Sequence, residues 1–481
     1  MDNLKNKVFS GFAWKFAERI LVQGVTFVVS LVIARILEPE DYGLLGMILV
    51  YTNIATVIVV NGFNAALIQN QQADDKDFST MFYISLIISV ILYGIIYLLA
   101  PFIAAFYHQD ELTNLLRVLS LILPISSLSS IQNAYIGRNM IFRKTFFASF
   151  IASVISGVVG ILLALKGFGT WALVFQMIVA NLITCIVQLI IVPWKPKLFF
   201  EIKKTIPLLK FGANSLGADL IGTIFNQLNS FIMGKWYSAS ELAYYNRGYG
   251  FPALISGNVS TIISSVLFPA FSKKSADISN IKDTMRKSTK IYAYILTPFY
   301  VGLIAVSNNL ISVLITDKWL PCVPYLCIIC FANILGTISP LDVIALKSIG
   351  RSDIVFKLEF IKKPIWLSFI IAASFINSYA LTFVLVLSTV MEMIVNGIAI
   401  DKVMGYSIKE KVLDWLVMMI PSVIMFLGIY FLRYIPINKI IILIVQIIMG
   451  VAIYIVFSII TKNECYLYLL NIIKNKIKKN D

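Results

Sequence analysis

The run S-T-M-F-Y-I-S-L-I-I-S-V-I-L-Y-G-I-I-Y-L-L-A-P-F-I-A-A-F-Y, from Ser79 to Tyr107, contains no charged residue. Asp74-Asp75-Lys76-Asp77 precedes it and His108-Gln109-Asp110-Glu111 follows it. An uncharged apolar run of this length reads as a bilayer-spanning helix, which needs about 20 residues. The pattern recurs along the chain. Fourteen apolar segments are read, near 10–37, 43–68, 79–107, 112–137, 145–166, 169–193, 207–234, 242–271, 289–316, 320–347, 353–376, 378–400, 412–433 and 438–461. Fourteen such helices use about 280 residues, more than half of the 481 present. Composition agrees, with 59% hydrophobic and 14% charged residues against about 45–50% and 25% in soluble proteins. The expected fold class is an all-α polytopic membrane protein with about 14 transmembrane helices and little mass outside the bilayer. No cleavable signal peptide is read, because the first segment is too long and polar and no A-x-A site follows.

The net charge is +15. On a soluble chain that would suggest nucleic acid. Here the basic residues crowd alternate connections, as the positive-inside rule requires of cytoplasmic loops, and no nucleic-acid partner is expected. Lys5 and Lys7 precede the first span. Arg138, Arg143 and Lys144, then Lys195, Lys197, Lys203 and Lys204, then Lys273, Lys274, Lys282, Arg286 and Lys287 follow. Lys347 and Arg351, then Lys402, Lys409 and Lys411, and finally Lys474, Lys476, Lys478 and Lys479 complete the series. The intervening connections are nearly free of Lys and Arg, and both termini are expected in the cytoplasm. Asp74-Asp75-Lys76-Asp77 is acidic yet expected inside, which this rule tolerates because acidic residues count little. No loop exceeds about twenty residues, and no G-x-x-x-x-G-K-[ST] phosphate loop occurs. A soluble catalytic domain and intrinsic ATP hydrolysis are therefore not expected. Nor is a metal site. His108 is the only histidine, and Cys322, Cys327 and Cys330 look like part of a metal motif without its partner ligands. With Cys185 and Cys465 they read as small hydrophobes.

Two regions about 200 residues apart look alike. One opens at Gly11, carries Glu18 and ends near P-E-D-Y-G with Asp41 and Gly43. The other opens at Gly212, carries Asp219 and ends near A-S-E-L-A with Glu241 and Ala243. This predicts two pseudo-symmetric six-helix lobes related by an axis along the membrane normal, with a site between them. The expected divisions are 1–204, 205–405, and 406–481 for two additional helices and a basic tail.

Charge within a span costs about 2.5–3.5 kcal/mol on insertion scales, so each case asks for a reason. Lys15, Glu18, Arg19 and Gln23 share one face of the first span. Either Glu18 pairs with Lys15 or Arg19 to hold helices together, or the stripe faces water and substrate. Asp219, Thr223, Asn226 and Ser230 share a face of the seventh span. Asn61 and Asn64 lie in the second; Tyr244-Tyr245-Asn246-Arg247, Asn258, Thr261 and Ser265 lie in the eighth. Single Asn residues often serve only interhelical bonding, but stripes on four helices favour a shared aqueous cavity. Its basic candidates are Lys15, Arg19, Lys210, Arg247 and Lys357; its acidic ones are Glu18, Asp219, Asp342 and Glu359. A slight basic excess suits a phosphate-bearing substrate. Pro124, Pro252, Pro298, Pro340, Pro364 and Pro421 are expected to kink or break their helices.

Ala34-Arg35-Ile36-Leu37-Glu38-Pro39-Glu40-Asp41-Tyr42-Gly43 resembles the A-R-x-L-x-P-x-D-[YF]-G signature of bacterial polysaccharide and O-antigen flippases. W-K-F-A-E-R-I-L-V-Q-G from Trp14, Y-Y-N-R-G from Tyr244, V-L-F-P-A-F-S-K from Val266 and A-L-K-S-I-G-R-S-D from Ala345 are similar to the same family's blocks. The family belongs to the multidrug/oligosaccharidyl-lipid/polysaccharide exporter superfamily. The resemblance implies a V-shaped transporter, with no enzymatic activity, in the bacterial inner membrane. Its substrate would be a polyprenyl-diphosphate-linked oligosaccharide, moved by alternating access, the lipid tail entering between the first and eighth spans. It also implies coupling to a proton or sodium gradient or to the membrane potential, with no cofactor. Arg19, Arg247, Lys15 and Lys210 become the candidate diphosphate-binding residues, Glu18 and Asp219 the candidate ion-coupling pair. Gln23, Asn61, Asn64, Asn226 and Asn258 become cavity polar residues. Expected partners are the lipid-linked substrate, membrane lipids, a polysaccharide polymerase and chain-length proteins. A multidrug or metabolite exporter, a membrane polymerase or ligase, and a non-transporting component of a polysaccharide assembly complex are the alternatives; a polymerase would normally carry a long reactive external loop.

Overall fold

The computed structural model describes residues 2–70, 73–273, 278–435 and 437–477. Among these residues the chain forms seventeen α-helices and two short 3-10 turns, with no strand. It divides into two compact units, 1–243 and 244–481. The first contains α1 (Asp2–Ile36), α2 (Pro39–Gln69), α3 (Asp75–Tyr107), α4 (Leu112–Leu119), α5 (Ile122–Asn139), α6 (Phe142–Leu165), α7 (Thr170–Ile191), α8 (Ile202–Trp236) and the start of α9 (Ala239–Lys273). The second contains the rest of α9, α10 (Ile278–Ile315), α11 (Cys322–Gly336), α12 (Asp342–Ser348), α13 (Ser352–Ser374), α14 (Ser378–Met404), α15 (Ile408–Tyr430), α16 (Lys439–Ile460) and α17 (Glu464–Ile477).

The helix order repeats. α1 and α8 start 200 residues apart, at Asp2 and Ile202, and so do α2 and α9, at Pro39 and Ala239. The fourth span is broken in both repeats, into α4 and α5 and into α11 and α12. Pro340 lies in the second break, where its missing N–H stops a continuous helix. By contrast Pro298, Pro364 and Pro421 sit inside helices. α15 and α16 lie outside the repeat, and α17 is a further helix where only a basic tail was expected.

Ten helices among the described residues are long and apolar enough to cross a membrane. Four of the fourteen expected spans, those of α8, α9, α11–α12 and α13, are not among these ten. In α13 the charges Lys357, Glu359, Lys362 and Lys363 crowd the middle of the helix. The α11–α12 span is broken into short pieces.

Small residues set the packing. Ala148, Ala152, Ser156, Gly157, Gly160 and Ala164 are the buried face of α6. A Cβ on Gly157 would stand 2.5 Å from Val29 Cγ2 of α1, so α1 and α6 approach through small residues, as helices in lipid do when tight packing drives association. The signature corner is closer still. Pro39 opens α2, and the Glu38 backbone N–H donates to Asp41 Oδ2 (3.1 Å). Thr170 Oγ1 at the start of α7 donates to Asp41 Oδ1 (3.0 Å). At Gly43 a Cβ would lie 1.8 Å from the carbonyl oxygen of Ala239. Backbone cannot rotate aside, so Gly43→Ala is expected to lose about 1–3 kcal/mol or more, read as a fall in melting temperature of the purified chain. Gly94→Ala, where nothing lies within 4 Å, is the control and should not lower it, since alanine suits a helix interior better than glycine.

Candidate functional site

In the first unit α1 lies along α6, and α2 along α8 and α5. Trp14 of α1 tilts against Phe146 (5.3 Å) and Phe147 (6.0 Å), and Arg143 lies 5.4 Å over the Trp14 ring. This fastens α1 at Trp14 and brings its charged stripe to α6. Lys15 Nζ pairs with Glu18 Oε2 at 2.8 Å. Ser149 Oγ donates to Glu18 Oε1 at 3.1 Å, and Lys15 also lies 5.3 Å over the Phe142 ring. Glu18 is 17% exposed and Lys15 48%, so the intrahelical pair anticipated from the sequence forms. Arg19 is half-buried and Gln23 exposed on the same helix.

Asn61 and Asp219 meet. Asn61 Nδ2 donates to Asp219 Oδ2 at 3.2 Å, joining α2 to α8, and both side chains are exposed. Asn226 is exposed two turns further along α8, on the Asp219 face. Asn64 turns the other way and accepts from Ser130 Oγ of α5 at 3.1 Å. Lys210 is exposed near the start of α8. Exposed polar groups at membrane depth face water or protein rather than lipid, so Asn61, Asp219 and Asn226 make α2 and α8 the polar wall of this unit.

In the second unit Arg247 is half-buried, its guanidinium 4.9 Å over the ring of fully buried Trp319. Tyr244 meets the same ring edge-on at 6.2 Å, and a Cβ on Gly248 would lie 2.9 Å from the Leu326 nitrogen. The Y-Y-N-R-G block thus seats α9 on the Asp317–Trp319 turn and α11. The Asn258 side chain lies outside the described residues, as do those of Thr261 and Ser265.

The acidic loop before α3 also has a structural role. Asp74 caps α3, accepting from the backbone N–H groups of Lys76 and Asp77, and Asp75 pairs with Lys197 at 2.9 Å.

The ion pairs of α15 are not expected as a group from the sequence. Lys411 Nζ lies 2.7 and 2.8 Å from the two oxygens of Asp342, both side chains 1% exposed. One helical turn along α15, Asp414 takes two bonds from Arg286 of α10 (2.6 and 2.9 Å), one from Tyr406 (3.2 Å) and an ion pair from Lys290 (3.3 Å). By sequence Lys411 reads as a loop lysine. The overlooked signal was the Lys411, Asp414, Met418 spacing, which sets two charges on the inward face of α15. Between the spans, Ser312 and Lys439 hold the Asp317 carboxyl below the usual carboxylate range. A depressed carboxylate adds stability above its unfolded pKa, lost as pH falls through the folded one. The effect is small because both partners are more than half exposed.

The family model described as polysaccharide biosynthesis protein matches residues 32–324, well over half of the chain. The chain belongs to the polysaccharide biosynthesis protein family. The teichuronic acid biosynthesis protein TuaB of Bacillus subtilis is 24% identical over 74% of this chain and 74% of its own length. The lipopolysaccharide biosynthesis protein WzxC of Escherichia coli is 23% identical over 86% and 85%. Among solved structures, the lipid II flippase MurJ in an inward closed conformation superposes with a TM-score of 0.75 at 18% identity, covering 95% of this chain and 99% of that one. The chain shares the fold of that structure and is a multi-pass membrane protein, and the matched region holds the signature corner as well as Asn61, Asp219 and Arg247.

Proposed function

We propose that this member of the polysaccharide biosynthesis family is a flippase. It moves a polyprenyl-diphosphate-linked oligosaccharide unit from the inner to the outer leaflet of a bacterial inner membrane, for a surface polysaccharide, and performs no covalent chemistry. The observation that carries this reading is the family match over 32–324 on a chain made of membrane helices and short turns. A polysaccharide role exercised by such a body has to be exercised inside the bilayer. The slight basic excess along the polar stripes favours a diphosphate over an organic cation. In this reading Arg19, Lys15, Lys210 and Arg247 serve the diphosphate. Glu18 and Asp219 couple transport to a proton or sodium gradient or to the membrane potential, and a polymerase and chain-length proteins take the product.

The test uses the purified chain in vesicles carrying a fluorescent polyprenyl-diphosphate oligosaccharide, with dithionite bleaching the outer leaflet. Bleaching should run to near completion with the protein and stop near half in protein-free vesicles. Equal bleaching in both, together with efflux of a cationic dye by the same vesicles, would replace this reading by drug export.

Topology is checked separately. With native cysteines removed, Glu40→Cys should react with an impermeant maleimide added to intact cells, and Lys287→Cys only after lysis. The reverse pattern overturns the orientation with cytoplasmic termini.

A further inference from the structure

α17 has two dissimilar faces. Cys465, Tyr466 and Leu469 turn inward and pack with Ala293 and Tyr294 of α10, Trp415 and Met418 of α15, and Tyr454 of α16. Opposite them Leu467 is 44% exposed and Tyr468 54% exposed, with Asn471 and Lys474 exposed beside them.

The neighbours fix the level of this helix. α16 has 22 residues, about 33 Å at 1.5 Å each, which matches the hydrocarbon thickness. Only Thr461–Asn463 separates it from α17, with Lys462 in the left-handed region (φ 46°). Tyr294 donates to Ser458 at 2.8 Å, two residues before α16 ends. α17 therefore packs where α16 leaves the bilayer. Because α15 and α16 cross and recross, that is the side on which α14 ends, marked by Lys402 and Lys409. By the positive-inside rule it is the inner side.

From Lys474 the chain reads K-N-K-I-K-K-N-D, with four lysines and one acid. Loop lysines that only set orientation need no apolar face beside them. Here the basic run begins within a helix that shows Leu467 and Tyr468 at the membrane surface, the arrangement of an interfacial helix. A partner helix would instead read an apolar row at i, i+4 and i+7, and Leu467, Asn471 and Lys474 do not supply one.

We infer that α17 is an inner-leaflet surface helix. Leu467 and Tyr468 enter the acyl boundary, and Lys474, Lys476, Lys478 and Lys479 bind the headgroups of anionic phospholipids. The inference is independent of the transported substrate.

The test uses the full chain with native cysteines replaced, spin-labelled through Leu467→Cys or Tyr468→Cys. It is placed in vesicles of phosphatidylethanolamine with phosphatidylglycerol, or of phosphatidylcholine. In the anionic vesicles both labels should relax with oxygen in preference to a nickel chelate. The preference should fall in phosphatidylcholine, and fall in anionic vesicles for K474Q/K476Q/K478Q/K479Q, each lysine being worth about fivefold in docking. The same preference in both vesicle types, or in the four-glutamine variant, overturns headgroup recognition. So does its restoration in phosphatidylcholine by sodium phosphate, which would mark a site for free anions. Water-phase accessibility in all vesicles overturns surface docking altogether and leaves the face to a soluble partner.

Discussion

Lys411→Met should destabilise the purified chain sharply, by about 3–5 kcal/mol. The pair it breaks is sealed: both Lys411 and Asp342 are 1% exposed, and the ammonium bonds both carboxylate oxygens. Removing the lysine leaves a carboxylate buried without its cation, and that penalty exceeds the net worth of the intact pair. Asp342→Asn should cost a similar amount by stranding the ammonium. The double variant Asp342→Asn/Lys411→Met should recover most of the loss, because replacing both members of a buried pair is often close to neutral. Thermal unfolding in detergent, followed by size exclusion, reads all three. Losses that simply add in the double variant would mean that the two side chains are not coupled. Arg286→Gln is the graded comparison. Arg286 is 41% exposed, and Asp414 keeps Tyr406 and Lys290 as partners, so the loss should be smaller.

This latch was the least legible part of the sequence. The positive-inside rule reads a lysine by its distance from a span end, and Lys411, three residues into α15, passed for a solvated loop residue. Its partner is 69 residues away, on a short helix that exists because the chain breaks around Pro340. No local period reports such a contact. What the sequence shows well is what depends on local composition and spacing. The apolar runs mark most helices, because the bilayer forces backbone bonding within the segment. The P-E-D-Y-G corner marks the start of α2, where Pro39 opens the helix and Asp41 takes the Glu38 N–H locally, whereas the need for glycine at Gly43 comes from the distant Ala239 backbone. Glu18 and Lys15 stand three residues apart on one face and pair. Asn61 with Asp219 was legible only as two polar stripes; their meeting is a tertiary fact. α17 was missed because fourteen residues of mixed polarity are too few to read as a span.

Arg19→Ala should cut the transport rate about ten- to a hundredfold while membrane abundance stays at the wild-type level. Lys15 and Glu18 neutralise each other at 2.8 Å, so the net charge of the α1 stripe is that of Arg19. In a partly dehydrated path a fixed cation acts more strongly on a diphosphate than it would at an open surface. A hydrogen bond to a charged group is worth about 1.5–3 kcal/mol, which sets the expected rate loss. Arg19→Lys should recover only part of the rate, keeping the charge but losing the two-pronged geometry. Two comparisons separate binding from folding. Arg247→Ala should reduce abundance as well as transport, because the guanidinium leaves the buried Trp319 ring. Glu18→Gln frees Lys15 and raises the stripe's positive charge, so substrate binding should hold or tighten. If protonation of Glu18 couples transport, the same variant loses its response to external pH. Wild-type flipping by Arg19→Gln in the dithionite assay would remove the diphosphate from α1. Family membership and fold would stand, and the search for the binding cations would move to Lys210 on the polar wall of α8.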